Sequence, residues 1–395
     1  MDFSLSSDQE LIKSTARKFI DNECPKDRVR ELNRHEKGYD PEMWRKMADL
    51  GWMGLALPEE YGGVGGGMID LALVMEEMGR GLLPGPFFST IAACSFPILA
   101  FGTAEQKAKY LPPIANGEGL WSLALTEEAG TNDASGIRLP AKAEKDVFIL
   151  DGIKLFVPYA HLADSFLVVA RTGQGPNPRE GITVFIVDTG SQGIEIDLLP
   201  TTARDKQFEI RFSRVSVPKD NILGELHRGW PLVELIFQTT ALLKSAEMLG
   251  GVQAVLEMTT EYSKQRIQFG ASIGSFQAVQ HNLVDLFNEI QGLRYLVYES
   301  AWRIDAGLPA FPAAPLISMA KAKANKVYQR TCIDGMKLHG AIGFTEELDI
   351  GLYHLKTRAN LALGGDTRFH LDRIAGGWFS GPGALEGHSK PTNDQ

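Results

Sequence analysis

The amino-acid sequence predicts an α+β protein laid out as helices, then a cluster of strands, then a bundle of long helices. Two observations predict it. Apolar residues recur every three or four positions up to about residue 118 and again from about residue 230. Between these regions lie short β-branched and aromatic runs separated by Gly, Pro and Asp. The expected division is a helical domain over 1–118, a β domain over 119–228, a four-helix bundle over 229–380 and a loose polar tail over 381–395.

In the first region Leu5, Gln9, Ile12, Ala16 and Phe19 share helical spacing, as do Trp44, Met47 and Leu50. After the glycine-rich loop LPEEYGGVGGGMID, Asp70 is expected to open a helix over Leu71 to Met78, which GLLPGPFF breaks; EQKAKYLPPIANGE closes the region. The runs SLALT, FILDGIKLFV, SFLVVART, ITVFIVDT, IEIDLL and FEIRFSRVSV predict a sandwich or barrel. Pro231 suits a first helical turn and predicts a helix to about Arg266. Two more helices follow over SFQAVQHNLVDLFNEIQGLRYLVYESAWRIDAG and PLISMAKAKANKVYQRTCIDGMKLHG, and the last begins near residue 368.

The chain has 395 residues, 44% apolar and 23% charged, enough for two or three domains with a sizeable core. A net charge of −9 argues against a nucleic-acid surface, and no run of about 18 apolar residues predicts a membrane span. The start MDFSLSSDQELIKSTARKF reads as an acidic amphipathic helix and not as a targeting peptide. Cys24, Cys94 and Cys332 have no metal spacing, so no metal site is expected and reduced thiols in a cytoplasmic protein are.

Several stretches have residue types suited to chemistry, each with a plain structural reading beside it. WSLALTEEAGTND ends a strand in a hydroxyl- and amide-rich loop that suits a flavin edge or a phosphate, or is a turn. In SKQRIQFG, Arg266 and Phe269 at the end of a helix would share a face that suits a diphosphate, or form an ordinary helix end. Gly340 and Gly343 in KLHGAIGF allow a phosphate to approach, or cap a helix. Ile236, Thr240, Leu243, Glu247, Gly250, Gly251 and Ala254 form one helical stripe, apolar or small except for Thr240 and Glu247. Glu247 is either buried for a reason or in a surface pair with Lys244. In LALGGDTRFHLDR, Asp366 or Thr367 is placed to cap a helix after two glycines.

In this order the stretches resemble the acyl-CoA dehydrogenase family over nearly the whole chain, to about Ala375. Thr126-Glu127-Glu128-Ala129-Gly130-Thr131-Asn132-Asp133 is similar to its flavin signature T-E-P-x-A-G-S-D. FSRVSVPKDNILGE, RIQFGASIGSFQAVQH and KLHGAIGFTEE are similar to its V-P-x-x-N-x-L-G, R-x-x-F-G…Q-A and Q-x-x-G-G-x-G-F segments. The resemblance implies FAD between the domains, completed by a neighbouring subunit. It implies α,β-dehydrogenation of an acyl-CoA thioester: a carboxylate takes the α proton, the β hydrogen passes as hydride to flavin N5, and electrons leave to an electron-transferring flavoprotein.

Carried over to this chain, the resemblance places Thr126, Thr131, Asn132, Phe156 and Pro158 near the flavin, the last two where Trp and Thr are frequent. It places Arg266, Phe269 and Gln277 at the partner's FAD, with Lys337, beside Gly340, where Gln usually meets the pyrophosphate. Asp366 stands where a Thr often contacts FAD. The elbow that reads Y-E-G-T in many members is Leu363-Gly364-Gly365-Asp366 here, so the base position is Gly364, whose backbone N–H would still polarise the thioester. A second base position maps to Thr240. A bacterial branch, some of whose members act on steroid or other bulky CoA thioesters, has A-E-x-L-G on this helix and G-D at the elbow, which implies Glu247 as the base. Desolvation is expected to raise the Glu247 pKa, and Gly250 and Gly251 to leave room for a bulky acyl group. The implied assembly is a homotetramer or an α2β2 heterotetramer with a similar chain. The alternatives are a non-catalytic subunit that completes a partner's FAD site, motivated by Gly364, Asp366 and Lys337, or the same fold with flavin-dependent elimination.

Overall fold

The computed structural model describes residues 4–307 and 310–380; the expected tail over 381–395 lies outside them. The first region holds helices α1 (Ser7–Glu23), α2 (Lys26–Arg34), α3 (Pro41–Asp49), α4 (Met68–Gly81), α5 (Phe96–Phe101) and α6 (Ala104–Ala115). Their starts follow local chemistry. Ser6 and Gln9 form a reciprocal capping box, and Asp40 caps α3 ahead of Pro41. Helix α4 begins at Met68, three residues before the expected Leu71. Asp70 is its third residue, and the Asp70 carboxylate accepts the Gly67 N–H at 2.8 Å. Residues Phe88–Ser95 wind as a wide π-type helix into α5; nearly every position is buried, so no amphipathic period marked it.

The middle region contains β1 (Trp121–Ala124), β2 (Ala141–Glu144), β3 (Val147–Pro158), β4 (Ser165–Arg171), β5 (Ile182–Asp188), β6 (Ile194–Leu199), β7 (Gln207–Pro218) and β8 (Ile222–Leu223). They form two four-stranded sheets, β1-β4-β5-β8 and β2-β3-β7-β6, which make a sandwich. Val168 opposite Phe185 and Leu150 opposite Val215 set registers that turn Phe148, Phe166, Phe185, Phe212 and Val217 into one shared core. The unpredicted β2 is too polar, and β8 too short, to announce itself by alternation.

The last region is α7 (Trp230–Gln265), a small hairpin of β9 (Ile267–Gln268) and β10 (Ala271–Ser272), α8 (Gln277–Asp305), α9 (Ala310–His339), α10 (Ile350–Ala362) and α11 (Thr367–Ser380). Helix α10 was not expected as a separate element. Its buried face carries Thr357 and Asn360 beside Ile350 and Tyr353, which hides the apolar stripe. The architecture is the predicted α+β one, helical at both ends with a β domain between. Among the described residues no helix is long and apolar enough to cross a membrane.

Helices α4 and α7 approach so closely that a Cβ on Gly79 would lie 1.7 Å from the Glu247 carbonyl oxygen, and one on Gly250 1.7 Å from that of Glu76. A Cβ on Gly251 would meet the Tyr328 ring at 2.7 Å. These glycines are filled by protein, which overturns the expectation that they leave room for an acyl group. Gly250→Ala should therefore lower stability by about 1–3 kcal/mol or more. Gly376→Ala, with open space at its Cβ, should be neutral or slightly stabilising, both read from denaturant midpoints.

Candidate active site

A cleft forms where the β domain meets α7 and the loop after α10. Thr126, Asn132, Phe156, Pro158, Thr240 and Gly364 line it, with Leu123, Leu125 and Phe237 as apolar walls. Leu155 N–H donates to the Thr126 carbonyl at 2.9 Å, tying β3 to the loop that follows β1. Between Lys154 and Val157 the β3–β7 register shifts, and Phe156 takes a left-handed φ of 53°, so its ring points out of the sandwich and is 54% exposed. Glu127, which the sequence reading left without a role, holds this corner. Its carboxylate pairs with the fully buried Lys154 at 2.6 Å and accepts the Arg138 and Leu139 N–H groups. Burial lowers the Lys154 pKa to about 8 despite that partner. An exposed aromatic face, a hydroxyl, an amide and apolar walls suit a flat ring with polar edges, so these residues fit a flavin. Thr131 is exposed, and its hydroxyl accepts the Asp133 N–H within the same loop.

A second, narrow cleft shares Phe88, Ser89, Pro158 and Leu363 with the first. It is lined further by Met75, Met78, Phe87, Tyr159, Asp205, Gln207, Lys244, Glu247 and Lys356. Glu247 and Lys244 form a direct ion pair, and Lys356 Nζ lies 3.8 Å from Glu247 Oε1. Lys244 is buried, with its ammonium 3.9 Å from the Phe88 ring centroid, so of the two alternatives for Glu247 the pair is the interior one and not a surface contact. Burial alone would push the Glu247 carboxyl up. Lys244, Lys356 and more distant Lys321 outweigh it, and the pKa falls below the usual carboxylate value. The expected upward shift is thus reversed, because three lysines from α7, α9 and α10 converge on one carboxylate.

The glycine elbow sits against α7. Gly364 has φ 73°, and a Cβ there would lie 3.0 Å from the Thr240 carbonyl oxygen and 3.1 Å from Ala241. The two positions where the family resemblance places a base therefore face each other, and neither carries an acid. Asp366 is exposed, and its carboxylate accepts the Phe369 N–H at 2.7 Å as the cap of α11. Buried Lys321 donates to Asn325 Oδ1, the Asn360 carbonyl and the Gly365 carbonyl at 2.6, 2.9 and 3.1 Å. His370 Nε2 lies 2.8 Å from the Gly364 carbonyl oxygen, so a neutral ring with its proton on Nε2 donates there. Burial, with Lys321 and Arg373 nearby, drives the His370 pKa from 6.5 to about 4. The unfolded chain takes this proton near pH 6.5 and the folded one only near 4. Stability from this group is thus full above pH 6.5 and lost as pH falls through that window, by about 3 kcal/mol. His370→Asn should flatten this part of the urea-midpoint-against-pH profile relative to the parent.

The other expected cofactor residues gather at the opposite end of the bundle. The helix stops at Gln265, so Arg266 is its cap and Phe269, at φ 54°, lies in the turn of the β9–β10 hairpin, and the two do not share a helix face. Phe269 is 93% exposed and makes an edge contact with Phe276; Gln277 opens α8 close by. The α9 end packs here through Tyr262 and His339, carrying exposed Lys337, 3.2 Å from Asp334, and Gly340 at φ 67°. Exposed Ile267, Phe344 and Phe269 leave this end unusually apolar for a free surface. Cys24, Cys94 and Cys332 are buried free thiols, and among the described residues no His, Cys, Asp and Glu cluster is arranged to hold a metal.

Three acyl-CoA dehydrogenase domain profiles match in order: the N-terminal domain over residues 6–118, the middle domain over 122–215 and the C-terminal domain over 227–378. The probable acyl-CoA dehydrogenase YngJ of Bacillus subtilis is 31% identical over 365 residues, 89% of this chain and 92% of that protein. The butyryl-CoA dehydrogenase structure from Megasphaera elsdenii superposes with a TM-score of 0.87 at 28% identity, covering 95% of this chain and 99% of that one. The ChsE4–ChsE5 complex from Mycobacterium tuberculosis gives 0.87 at 27% identity, over 97% and 100%. With the fold, a cleft whose lining suits a flavin and the glycine elbow in place, the chain belongs to the acyl-CoA dehydrogenase family, FAD-dependent oxidoreductases acting on CH–CH bonds.

Proposed function

We propose that this chain dehydrogenates an acyl-CoA thioester between its α and β carbons, with Glu247 as the α-proton acceptor and a long or bulky acyl group, a steroid side chain among the candidates. The carrying observation is that the elbow cleft and the Glu247 cleft adjoin through four shared wall residues. Glu247 and Asp205 are the carboxylates that line them. Asp205 is occupied by Thr201 and Gln207, at 2.6 Å each, which leaves Glu247 as the better base.

Bound FAD supplies the two-electron acceptor for the β hydrogen. The protein's part begins at Gly364, whose N–H donates to the thioester carbonyl and stabilises the enolate-like charge. Glu247 stands ready as a carboxylate at neutral pH because the lysines hold it ionised, at some cost in basicity. Thr126, Asn132, Phe156 and Pro158 hold the ring. Arg266, Phe269, Gln277, Lys337 and Gly340 reach FAD across a subunit contact, in a homotetramer or a heterotetramer with a similar chain. Electrons leave to an electron-transferring flavoprotein.

A second reading has a specific observation behind it. Glu247 lies seven residues, about 10 Å along α7, from Thr240 at the elbow, and is tied to two lysines. A carboxylate so placed also suits a subunit that completes a partner's FAD site without turning over.

Protein expressed alone or with a similar chain should carry FAD, and Arg266→Ala should lower the flavin-to-protein ratio; unchanged occupancy removes Arg266 from the site. Anaerobic bleaching with an acyl-CoA panel then separates the readings. Glu247→Gln should keep FAD and ligand binding but slow bleaching by about two or more orders of magnitude. Parent-rate bleaching in that variant makes Glu247 structural and favours the second reading. Lys244→Met should raise the Glu247 pKa, so the acid limb of kcat/KM should move to higher pH.

A further inference from the structure

An outer cleft opens beside the elbow cleft, and Asn132 lines both. Asp133 and Arg179 reach it from two loops of the β domain, Trp230 from the start of α7 and Arg373 from α11. An acyl chain that runs from the elbow toward Glu247 leaves the other end of its thioester on this outer side. The carrier arm of the thioester therefore belongs here.

Charge decides where that arm can be held. Asp133, Glu234 and Asp372 line the cleft against Arg179 and Arg373. Glu234 takes Arg373 at 2.6 Å and the Trp230 indole N–H at 3.0 Å. Arg179 is the remaining cation. Its guanidinium lies over the Trp230 ring, 5.5 Å from the centroid, and is in no ion pair among the described residues. An anion is held best where Arg179 stands. Displaced by a few ångströms, it would face Asp133 or Asp372 instead.

Arg171, the last residue of β4, fixes that position. Its Nη1 donates to the Pro178 and Glu180 carbonyls at 2.9 and 2.7 Å, the residues on either side of Arg179. Its Nη2 donates to the Ala134 carbonyl at 2.6 Å and its Nε to the Ile137 carbonyl at 3.0 Å, just past Asn132 and Asp133. Four of the five guanidinium N–H donors are thus spent on backbone carbonyls of two loops. The Gly181 N–H donates to the His227 carbonyl at 3.0 Å, which ties the far side of the Arg179 loop to the approach to α7. A loop of this length needs no such clamp merely to join two strands, but a lone cation that must stay over Trp230 does.

Resting on the acyl-thioester reading above, we propose that Arg171 is a positioning residue: by bracketing Arg179 it holds that guanidinium over Trp230 as the contact for a phosphate of the CoA arm. It acts through Arg179 and has no part in the proton or hydride transfer.

The test uses the FAD-loaded protein and two non-oxidisable thioethers with the same alkyl chain, an S-alkyl-CoA and an S-alkyl-pantetheine that lacks the phosphates. Calorimetry gives each Kd. The parent should bind the CoA thioether at least about tenfold tighter than the pantetheine one. Arg171→Lys keeps the charge, but its three donors sit on one nitrogen and cannot bracket the loop. It should weaken the CoA thioether about tenfold while leaving flavin content and the Kd of the pantetheine thioether unchanged. Arg179→Met, at an exposed position, should do the same. The double variant should match Arg179→Met within about twofold, because two residues that act through one contact do not add. Equal binding of the two thioethers by the parent, or binding of neither, would overturn the proposal. So would a preference for CoA that survives either substitution, or additive losses in the double variant. Loss of flavin, of folding or of both ligands alike in Arg171→Lys makes the residue a structural staple and also overturns it. Because thioethers bind without reacting, a protein that meets these expectations yet bleaches with no acyl-CoA loses the catalytic reading alone. One that bleaches with acyl-CoA and fails them loses this inference alone.

Discussion

The contact between α4 and α7 is the constraint on which the rest of the molecule depends. Gly79 and Gly250 each lack a side chain where the other helix's backbone passes, and any Cβ there would overlap a carbonyl. The two helices can therefore press together, and α4 sets Met75 and Met78 against the α7 face that carries Lys244 and Glu247. The same approach buries Glu76, which accepts from Lys13, Gln253 and Tyr298. Glu77 is buried beside it and takes both arms of Arg17. Once desolvated, such acids are tolerable only with these partners, so the packing and the ion pairs are one arrangement.

The second organising feature is a set of buried lysines. Lys154 fixes the corner that presents Phe156, Lys321 ties α9 to the elbow carbonyl of Gly365, and Lys244 faces Glu247. Each loses hydration on folding and has its pKa lowered for that reason. Each recovers part of that loss through a carboxylate or a carbonyl. The elbow needs this help. Two consecutive glycines with positive φ specify little by themselves, and Lys321 and His370 fasten their carbonyls from outside. A backbone donor at Gly364 is useful only if the elbow is held.

The two ends of the C-terminal bundle divide the labour. The end near the β domain offers an enclosed, mixed-polarity cleft. The far end offers exposed aromatic side chains and cations on a tight hairpin, a surface suited to another subunit. In a single chain these groups do not meet, which is why a shared site follows more readily from this fold than a private one.

The sequence by itself determined the order of the elements, because period and punctuation are local. The six main strands and the long helix after Pro231 all announce themselves within their own windows. Motif order also marked Thr126, Asn132 and Gly364, which do share a cleft. What it could not determine was anything set by distant neighbours. Arg266 and Phe269 have helical spacing, yet Gly270 and the hairpin pairing end the helix before them. Gly250 and Gly251 read as open space because Glu76 and Tyr328 lie far away in the chain. The direction of the Glu247 pKa shift was misjudged for the same reason: Lys321 and Lys356 come from helices more than seventy residues further along the chain. Tertiary structure decided these points because burial and Coulomb interactions depend on distance in space, to which sequence separation gives no guide.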